Sequence, residues 1–411
     1  GYEMYTKPFW KALRKYLESL DDVLQRLKPV AESVAKRNDH DGTETVIVMI
    51  CNFGQSELLL NFVCAARSRG LDTSNILVFA TDQKTKEILD RAGLTVYYDE
   101  TVSCGLPIMH ACCFCAKVSF LLRTVLFEKL LGDIPSGAAQ QYGDRNFIMV
   151  MLAKVKTHYL QWQGYSLSIQ NYSNVAALFT SKVYCVQLTL ILGYDVLFQD
   201  VDIIWYKHPF DYFLAKNSPI YSADIILQDD GSRSKRYAPF SGNSGFYYVR
   251  NNKKTQHLFN QLLVSGNEIQ RTQSHQQTLT ALLAEHASLY ALKVKILERD
   301  RDDMFPGGYH FHFRGKDNFF YGFFRGEKSP YLFHMSWTLN KDNKLLFLRQ
   351  LGEWYVQDQC IGRPLSNITA AVGDAGDVVS LCCSANALFS CHYRDKPSAK
   401  PCHDSPPIEP G

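Results

Sequence analysis

Short apolar runs and amphipathic segments alternate along the first hundred residues of the chain. Three runs rich in β-branched residues have the pattern of buried strands: 45–50, 75–80 and 94–98. Two segments with helical spacing, each followed by a glycine, separate them: 57–69 and 84–92. This order of elements predicts a parallel sheet with right-handed crossovers, whose ligands bind at the carboxyl ends of the strands.

The same pattern resumes after a less regular stretch. Residues 103–146 hold four cysteines and a segment containing Gly and Pro, and we interpret them as an insertion or loop. Residues 147–163 and 175–192 are predicted helices, and 194–199 is another buried strand. The chain is therefore predicted to be an α/β protein with a mostly parallel sheet flanked by helices.

The two ends differ from this central part. Residues 7–37 carry leucines at spacings of three and four, which predicts one or two helices. They would form a stem, an oligomerisation element or a layer packed on the central domain. Residues 360–411 hold five of the 12 cysteines and, towards their end, many prolines. We divide the chain into a helical lead-in (1–42), a central domain (43–355) and a cysteine-rich tail (356–411).

Composition excludes two classes of protein. The 44 basic and 41 acidic residues give a formal charge of +3, which is too balanced for a protein dominated by nucleic-acid phosphates. Hydrophobic residues make up 46% and charged residues 21%, which excludes disorder as the main state. Aromatic residues reach 13%, which fits an aromatic core and a sugar-binding site equally.

The 12 cysteines indicate the compartment. Adjacent cysteines such as Cys382 and Cys383 do not have the paired spacing of a zinc site. We therefore expect disulfides formed in an oxidising lumen. The alternative is a zinc site in the tail, formed by cysteines and histidines that adjoin each other: Cys391, His392, Cys402 and His403.

Two glycosylation sequons, at Asn171 and Asn367, agree with a secretory-pathway protein. No apolar run reaches the length of about 18 residues that spans a bilayer. Because the chain starts at Gly1 and shows no signal peptide, we expect a processed or truncated chain. Any membrane anchor would precede residue 1.

Two carboxylates follow the predicted strand 194–199. Asp200 and Asp202 form an Asp-x-Asp motif that is followed by a further apolar run. Carboxylates at a sheet edge need a partner, and Mg²⁺ or Mn²⁺ is a suitable one because both ions prefer oxygen ligands and bind phosphate oxygens. The alternative is two exposed acids at the end of a strand, since a bare Asp-x-Asp is common.

Four segments together resemble one family. The segment 192–205 carries the Asp-x-Asp, 240–250 contains Asn-Ser-Gly-Phe, 334–337 reads His-Met-Ser-Trp, and Ala80-Thr81-Asp82 follows the second strand. The sequence resembles eukaryotic nucleotide-diphospho-sugar transferases of the GT-A fold, in particular plant arabinosyl- and xylosyltransferases and protist galactosyltransferases. The resemblance covers residues 43–355 and implies a Rossmann-like mixed sheet, here followed by a cysteine-rich appendage.

The resemblance implies roles for individual residues. The metal, Mn²⁺ or Mg²⁺, would be held by Asp200, Asp202 and His334. The residues expected to bind the donor are Asn52, Thr81, Asp82, Lys182 and Asp200. The residues expected to line the acceptor and sugar pocket are Asn243, Ser244, Gln277 and Trp337. Those expected to take part in catalysis are Asp200, Asp202 and Gln276.

Several of these residues have plainer interpretations. His334 could be a satisfied half-buried histidine, Lys182 a solvated helix lysine, and Asp82 the N-cap of the helix 84–92. The family commonly has an Asp-Gln pair where this chain has Gln276-Gln277, which puts any role of that acid in doubt.

Other candidates for lining the sugar pocket lie elsewhere in the chain. They are Gln228, Asp229, Asp230 and the segment 241–244. The alternative for Asp229 and Asp230 is a pair of loop acids before Gly231.

An aromatic segment over 302–325 remains. His310 and His312 alternate there in the pattern of a short strand. We favour a hairpin packed on the sheet over a wall of the acceptor or nucleotide-sugar site.

These observations predict a metal-dependent glycosyltransferase of the secretory-pathway lumen, in the Golgi or secreted. The family resemblance, and not the spacing of any residues, implies that the enzyme retains the anomeric configuration. Its donor would be a UDP-sugar and its acceptor a glycan or glycoprotein, with no role for nucleic acid. The oligomeric state does not follow from the sequence. Two rival functions are a nucleotide-sugar hydrolase and a non-catalytic sugar-binding protein.

Overall fold

The computed structural model describes seven ranges of the chain: 3–99, 182–272, 274–297, 304–315, 317–338, 340–372 and 377–403. The predicted insertion 103–146, the predicted helix 147–163 and the sequon at Asn171 lie outside these ranges. So do four of the 12 cysteines: Cys104, Cys112, Cys113 and Cys115.

A mixed sheet forms the centre of the molecule. In the described ranges the strands are β1 (Lys36–Arg37), β2 (Glu44–Cys51), β3 (Ile76–Ala80), β4 (Thr95–Tyr97), β5 (Asp195–Gln199), β6 (Ile203–Trp205), β7 (Ile225–Asp229), β8 (Gly242–Val249), β9 (Val294–Leu297) and β10 (Leu332–His334). The sheet order is β4-β3-β2-β5-β8-β7-β9, with β1 at the start of β2, while β6 and β10 form a separate antiparallel pair.

Most strands of the large sheet run in the same direction. Strands β2, β3, β4 and β5 pair in parallel, as do β7 and β9, whereas β8 is antiparallel to both of its neighbours. The predicted mixed, mostly parallel sheet is thereby confirmed. The carboxyl ends of β2, β3, β5 and β7 consequently lie along one edge, where the predicted site residues follow.

Helices cover both faces of the sheet. Their bounds are Glu3–Glu18, Leu20–Val34, Ser56–Ser68, Gln83–Asp90, 182–191, Phe210–Phe213, Lys253–Val264, Gly266–Thr272, His275–Tyr290, Gly308–His312, Phe319–Phe324, Lys341–Gln350, Leu365–Val372 and Val378–Cys382. Within the described ranges, none of the helices combines the length and the apolar character that crossing a bilayer requires.

The hydrophobic core has two halves, one on each side of the sheet. Alternate residues of β2 enter different halves: Ile47 and Met49 pack in one, and Val46 and Val48 in the other. Residues 46–51 of β2 are all apolar, as expected for a strand that is covered on both faces. The second half also contains Leu27 of the N-terminal helices. Of the three roles weighed for residues 7–37, packing on the sheet is therefore the one observed, while the domain limits at 42 and 355 stay predictions.

Among the residues that the structure describes, three disulfides brace the C-terminal part. They are Cys64–Cys383, Cys360–Cys382 and Cys391–Cys402. The first ties the tail to the helix Ser56–Ser68, and the adjacent Cys382 and Cys383 bond to different partners. The alternative of a zinc site in the tail is wrong, because Cys391 and Cys402 bond to each other and offer no thiolates. A disulfide-braced chain is typical of an oxidising compartment.

The segment around His310 and His312 differs from the prediction. It forms the short helix Gly308–His312 rather than a strand of a hairpin. Its first turn closes through the Gly307 N–H, which donates to His310 Nδ1 at 3.2 Å. Two alternating residues are too few to distinguish a strand from one turn of helix.

Candidate active site

The Asp-x-Asp motif forms the turn between β5 and β6. The Asp200 N–H donates to the Gly245 carbonyl at 2.7 Å, and the Asp202 carbonyl accepts from the Met335 N–H at 3.0 Å. These bonds attach the turn to β8 on one side and to the end of β10 on the other. Since His334 of β10 pairs directly with Ile203 of β6, the sheet pairing brings this histidine beside the two aspartates.

Three side chains converge at this turn. Asp200, Asp202 and His334 each offer one ligand atom, and these atoms lie within 4.8 Å of one another. Asp202 and His334 are buried, whereas Asp200 is partly open to solvent. Two carboxylate oxygens and one imidazole nitrogen suit Mn²⁺, with Mg²⁺ less favoured because of the nitrogen. The three residues therefore fit the predicted metal.

Gln228 determines which nitrogen of His334 carries the proton. The Gln228 Nε2 donates to the Phe305 carbonyl at 2.9 Å, so its Oε1 faces His334 Nδ1 at 2.8 Å and must accept from it. The proton therefore sits on Nδ1, which leaves the lone pair of Nε2 pointing toward Asp202 Oδ1 at 3.4 Å. A histidine fixed in this way is prepared to bind a cation.

Each aspartate also pairs with a lysine. Lys182 Nζ lies 2.5 Å from Asp200 Oδ1, and Lys344 Nζ lies 2.6 Å from Asp202 Oδ2. Burial alone would raise the pKa of Asp202, but the ammonium group of Lys344 lowers it overall. Burial alone would lower the pKa of Lys344, but Asp202 raises it. The two pairs are together neutral, and Asp202 Oδ1 remains directed at His334.

Gly245 leaves room beside the aspartates. A Cβ at this position would lie 2.6 Å from Asp200 Oδ2 and 2.6 Å from His334 Cε1. Both distances are far below van der Waals contact, so a side chain would enter the space between the ligand atoms. The Gly of the Asn-Ser-Gly-Phe segment is thus required by the site itself.

The predicted sugar-pocket residues lie next to this centre. Asn243 Nδ2 donates to Asp230 Oδ1 at 2.8 Å, and Asn243 Oδ1 accepts from the Gly245 N–H at 2.7 Å. Gln276 Oε1 accepts from both the N–H and the hydroxyl of Ser244, at 3.0 and 3.1 Å. Burial raises the pKa of the Asp230 carboxyl. Asp230 is thus an acidic side chain beside these residues, whereas the acid that the family commonly has at the position of Gln276 is replaced by an amide in this chain.

Gln277 and Trp337 are less closely connected to the aspartates than Asn243, Ser244 and Gln276 are. Gln277 lies in the first turn of the helix His275–Tyr290, where its N–H donates to the cap residue Ser274 at 3.2 Å. Trp337 follows His334 by three residues and is exposed. The ring of Trp337 packs against that of Tyr309, with the ring centres 5.6 Å apart, and the structure gives Gln277 no described contact with the aspartates.

The predicted donor-binding residues follow β2 and β3. Asn52 Oδ1 is buried and has no hydrogen-bond partner among the described residues, which leaves an acceptor available for a ligand. Asp82 caps the helix Gln83–Asp90 by accepting from the Thr85 N–H at 2.9 Å, and its other oxygen accepts from the Phe53 N–H at 2.9 Å. The plainer interpretation of Asp82 as an N-cap is thus observed. The Thr81 N–H donates to the Cys51 carbonyl and ties the two strand ends together.

Four further residues contribute to the site. The sequence makes Gln228 and Asp230 candidates for the sugar pocket, whereas it gives Gly245 and Lys344 no individual role. Gln228 lies near the end of strand β7 (Ile225–Asp229) and Asp230 directly follows it, at the carboxyl edge of the sheet where ligands bind. Lys344 lies on the helix Lys341–Gln350, ten residues after His334. Its pairing with Asp202 depends on how that helix packs, which the sequence does not show.

Comparison with known proteins gives consistent matches. The family model described as nucleotide-diphospho-sugar transferase matches residues 139–348, slightly more than half of the chain. The beta-arabinofuranosyltransferase RAY1 of Arabidopsis thaliana is 22% identical over 215 residues, which cover 52% of this chain and 29% of that protein. The match thus spans less than a third of the length of this relative.

Solved structures give matches of low overall similarity. The galactosyltransferase LgtC, crystallised with donor and acceptor sugar analogues, has a TM-score of 0.33 at 10% identity, over 71% of this chain and 86% of that one. Mouse xyloside xylosyltransferase 1 has a TM-score of 0.31 at 14% identity, over 71% of this chain and 98% of that one.

Proposed function

The chain belongs to the nucleotide-diphospho-sugar transferase family, and from that premise we propose that it is a metal-dependent glycosyltransferase. Its donor is a UDP-sugar, and its acceptor is a hydroxyl group of a glycan or glycoprotein. The observation that carries this proposal is the convergence of Asp200, Asp202 and His334, with the proton of His334 fixed on Nδ1 by Gln228.

The cation would be held by Asp200, Asp202 and His334. When bound, Mn²⁺ or Mg²⁺ supplies positive charge that neutralises a diphosphate leaving group. The charges of the side chains around this centre are compatible with binding a cation together with a diphosphate. The two aspartates and two lysines are together neutral, so a dication and a dianionic diphosphate enter the site without changing its balance.

Lys182 and Lys344 assist departure of the nucleotide. In this proposal their ammonium groups, now bound to carboxylate oxygens, contact the diphosphate and offset the charge that develops as the sugar–phosphate bond breaks. Asn52 offers its free Oδ1 to a donor group of the nucleotide. Thr81 and Asp82 form the adjoining wall, although both Asp82 oxygens are already engaged.

The acceptor side is formed by Asn243, Ser244, Gln276 and Asp230. We propose that Asp230 accepts a hydrogen bond from the attacking hydroxyl, because it is the acid of this pocket that no described lysine or arginine side chain neutralises within salt-bridge distance. Asn243 fixes its orientation. Following the family resemblance, the sugar keeps its anomeric configuration, which proton NMR of the product would test.

Gln228→Leu is expected to weaken Mn²⁺ binding by about 10- to 100-fold, because partners of ligating histidines have effects of this size. Without the acceptor at Oε1, His334 can place its proton on Nε2. Calorimetric titration with Mn²⁺ measures the change. Gln350→Leu is the matched control: it also removes a buried glutamine, whose Nε2 donates to the Tyr393 carbonyl, and should leave Mn²⁺ affinity unchanged. Equal losses in both variants would contradict the role of Gln228.

Asp230→Asn is expected to lower transfer by about 100-fold or more while UDP binding is retained, since the amide keeps the shape but is a poor proton acceptor. Steady-state rates with labelled donor, together with calorimetry for UDP, separate the two effects. Asp229→Asn changes the neighbouring acid, which pairs with Arg233 at 2.7 Å, and serves as control. Full activity in the Asp230 variant would exclude this role.

The rival functions differ in their products. A hydrolase would release free sugar whether or not an acceptor is present, and a non-catalytic binding protein would release none. We propose the secretory-pathway lumen, specifically the Golgi, as the location, supported by the disulfides and by the exposed sequon at Asn367.

A further inference from the structure

We propose that the acceptor is an oligosaccharide of at least two sugar units. It is held on a surface formed by the exposed rings of Phe313 and Trp337 and by the half-buried ring of Tyr309 that contacts both, here called the aromatic platform. This inference rests on the proposed glycosyltransferase function and specifies its acceptor class. The platform lies beside the candidate active site and has no part in metal or donor binding.

The three rings form a continuous surface. Trp337 and Phe313 are 48% and 44% exposed, which is unusual for side chains of this size. The ring centre of Tyr309 lies 5.6 Å from that of Trp337 and 6.1 Å from that of Phe313. The two exposed rings are thus joined through the half-buried ring of Tyr309, and neighbouring exposed aromatic side chains mark a binding surface better than isolated ones do.

The backbone of Trp337 supports a functional interpretation. Its φ is +61°, in the left-handed region that bulky residues avoid. The loop is fixed there because Gly308 packs against it: a Cβ on Gly308 would lie 1.8 Å from the Ser336 carbonyl oxygen. A large side chain on strained backbone that remains half-exposed contributes little to stability, which suggests that it serves binding.

The platform is continuous with the active site. Tyr309 packs on Gly231, where a Cβ would lie 2.6 Å from the Tyr309 Cβ, and Gly231 directly follows Asp230. At its other end, Trp337 follows His334 by three residues. An acceptor whose reacting hydroxyl lies at Asp230 would therefore extend its next sugar units over Tyr309 and the adjoining rings.

The side chains of the aromatic platform indicate which class of ligand it binds. Aromatic faces carry partial negative charge and attract the C–H bonds on the flat faces of sugar rings. Phenylalanine and tryptophan present no charged group, so the platform does not suit the phosphates of the donor. Separate rings can contact separate sugar units, and affinity should therefore rise with chain length.

The test is a binding assay with neutral oligosaccharides. The probes are the tetrasaccharides of cellulose, xylan, starch, chitin and β-1,3-glucan, and the pentasaccharide of arabinan, each compared with its monosaccharide. Calorimetry is performed on the full chain with Mn²⁺ and UDP present. We expect at least one oligosaccharide to bind more tightly than its monosaccharide, and Trp337→Ala and Phe313→Ala to weaken it by about tenfold or more.

Trp10→Ala is the matched control, because Trp10 is 45% exposed on the N-terminal helix Glu3–Glu18. It should leave oligosaccharide binding unchanged. The inference is overturned if no oligosaccharide binds better than its monosaccharide, if the Trp10 and Trp337 variants lose binding equally, or if only a protein acceptor binds. UDP binding, measured by calorimetry on the same protein, separates two kinds of failure. If UDP does not bind, the proposed glycosyltransferase function is wrong. If UDP binds but the oligosaccharide results fail, only the aromatic platform is wrong.

Discussion

Asp202→Asn is expected to abolish sugar transfer, with a loss of at least about a thousandfold, or about 4 kcal/mol of transition-state stabilisation. Asp202 is buried, directs Oδ1 at His334 and binds Lys344 through Oδ2. An amide of the same shape removes the negative charge that both partners and the cation require. Transfer from labelled UDP-sugar measures the loss, and calorimetry should show no Mn²⁺-dependent UDP binding.

The fold must be controlled for in this experiment. Removing one partner of a buried ion pair costs about 3–5 kcal/mol, so Asp202→Asn also destabilises the protein by leaving Lys344 unpaired. The double variant Asp202→Asn/Lys344→Met removes that unpaired charge. It should recover thermal stability without recovering transfer. If transfer returned together with stability, the aspartate would be structural and the assignment would be wrong.

Gly245→Ala is expected to reduce Mn²⁺ affinity by about 100-fold or more, because the added carbon would lie in contact with two of the three residues that supply ligand atoms. The alanine Cβ would lie 2.6 Å from both Asp200 Oδ2 and His334 Cε1, so both groups must move. Electron paramagnetic resonance of free Mn²⁺ gives the affinity, and thermal melting gives the stability.

Gly242→Ala provides the comparison on the same strand. Its Cβ would lie 2.8 Å from Leu227 Cδ2, in an apolar contact away from the aspartates. Overpacking of this kind costs about 1–3 kcal/mol, so the Gly242 variant should melt earlier and still bind Mn²⁺ normally. If the Gly245 variant binds Mn²⁺ as well as the Gly242 variant does, the space beside Asp200 is not the metal site.

The sheet was predictable because its strands are buried on both faces. The runs 45–50, 75–80 and 194–199 are mainly apolar, and the structure places β2, β3 and β5 within one residue of them. The helix Gly308–His312 was not predictable, because two alternating histidines fit a strand as well as one turn of helix. The antiparallel pair of β6 and β10 joins segments more than 120 residues apart, a contact that local patterns do not contain.

The residues of the candidate site also differ in how far the sequence alone predicts them. Asp200 and Asp202 are recognisable from the strand that precedes them, and family resemblance supplies His334. The sequence marks Gln228 as a candidate for the sugar pocket, but its bond to His334 and the pairing of Lys344 with Asp202 are contacts of the folded chain that local patterns do not contain. Asp82 shows the opposite case, because the local rule for an N-cap describes what its side chain does in the structure.

Release of UDP from UDP-sugars tests directly whether the protein is a metal-dependent glycosyltransferase. The chain is incubated with Mn²⁺, a panel of UDP-sugars that includes UDP-galactose, UDP-xylose and UDP-arabinose, and a mixture of oligosaccharide acceptors. Released UDP and glycosylated product are then quantified. We predict release from at least one donor, coupled to acceptor glycosylation, stopped by EDTA, restored by Mn²⁺ and absent in Asp202→Asn. Release that persists undiminished in EDTA or in that variant, or no release from any donor, would exclude a metal-dependent transferase centred on Asp202.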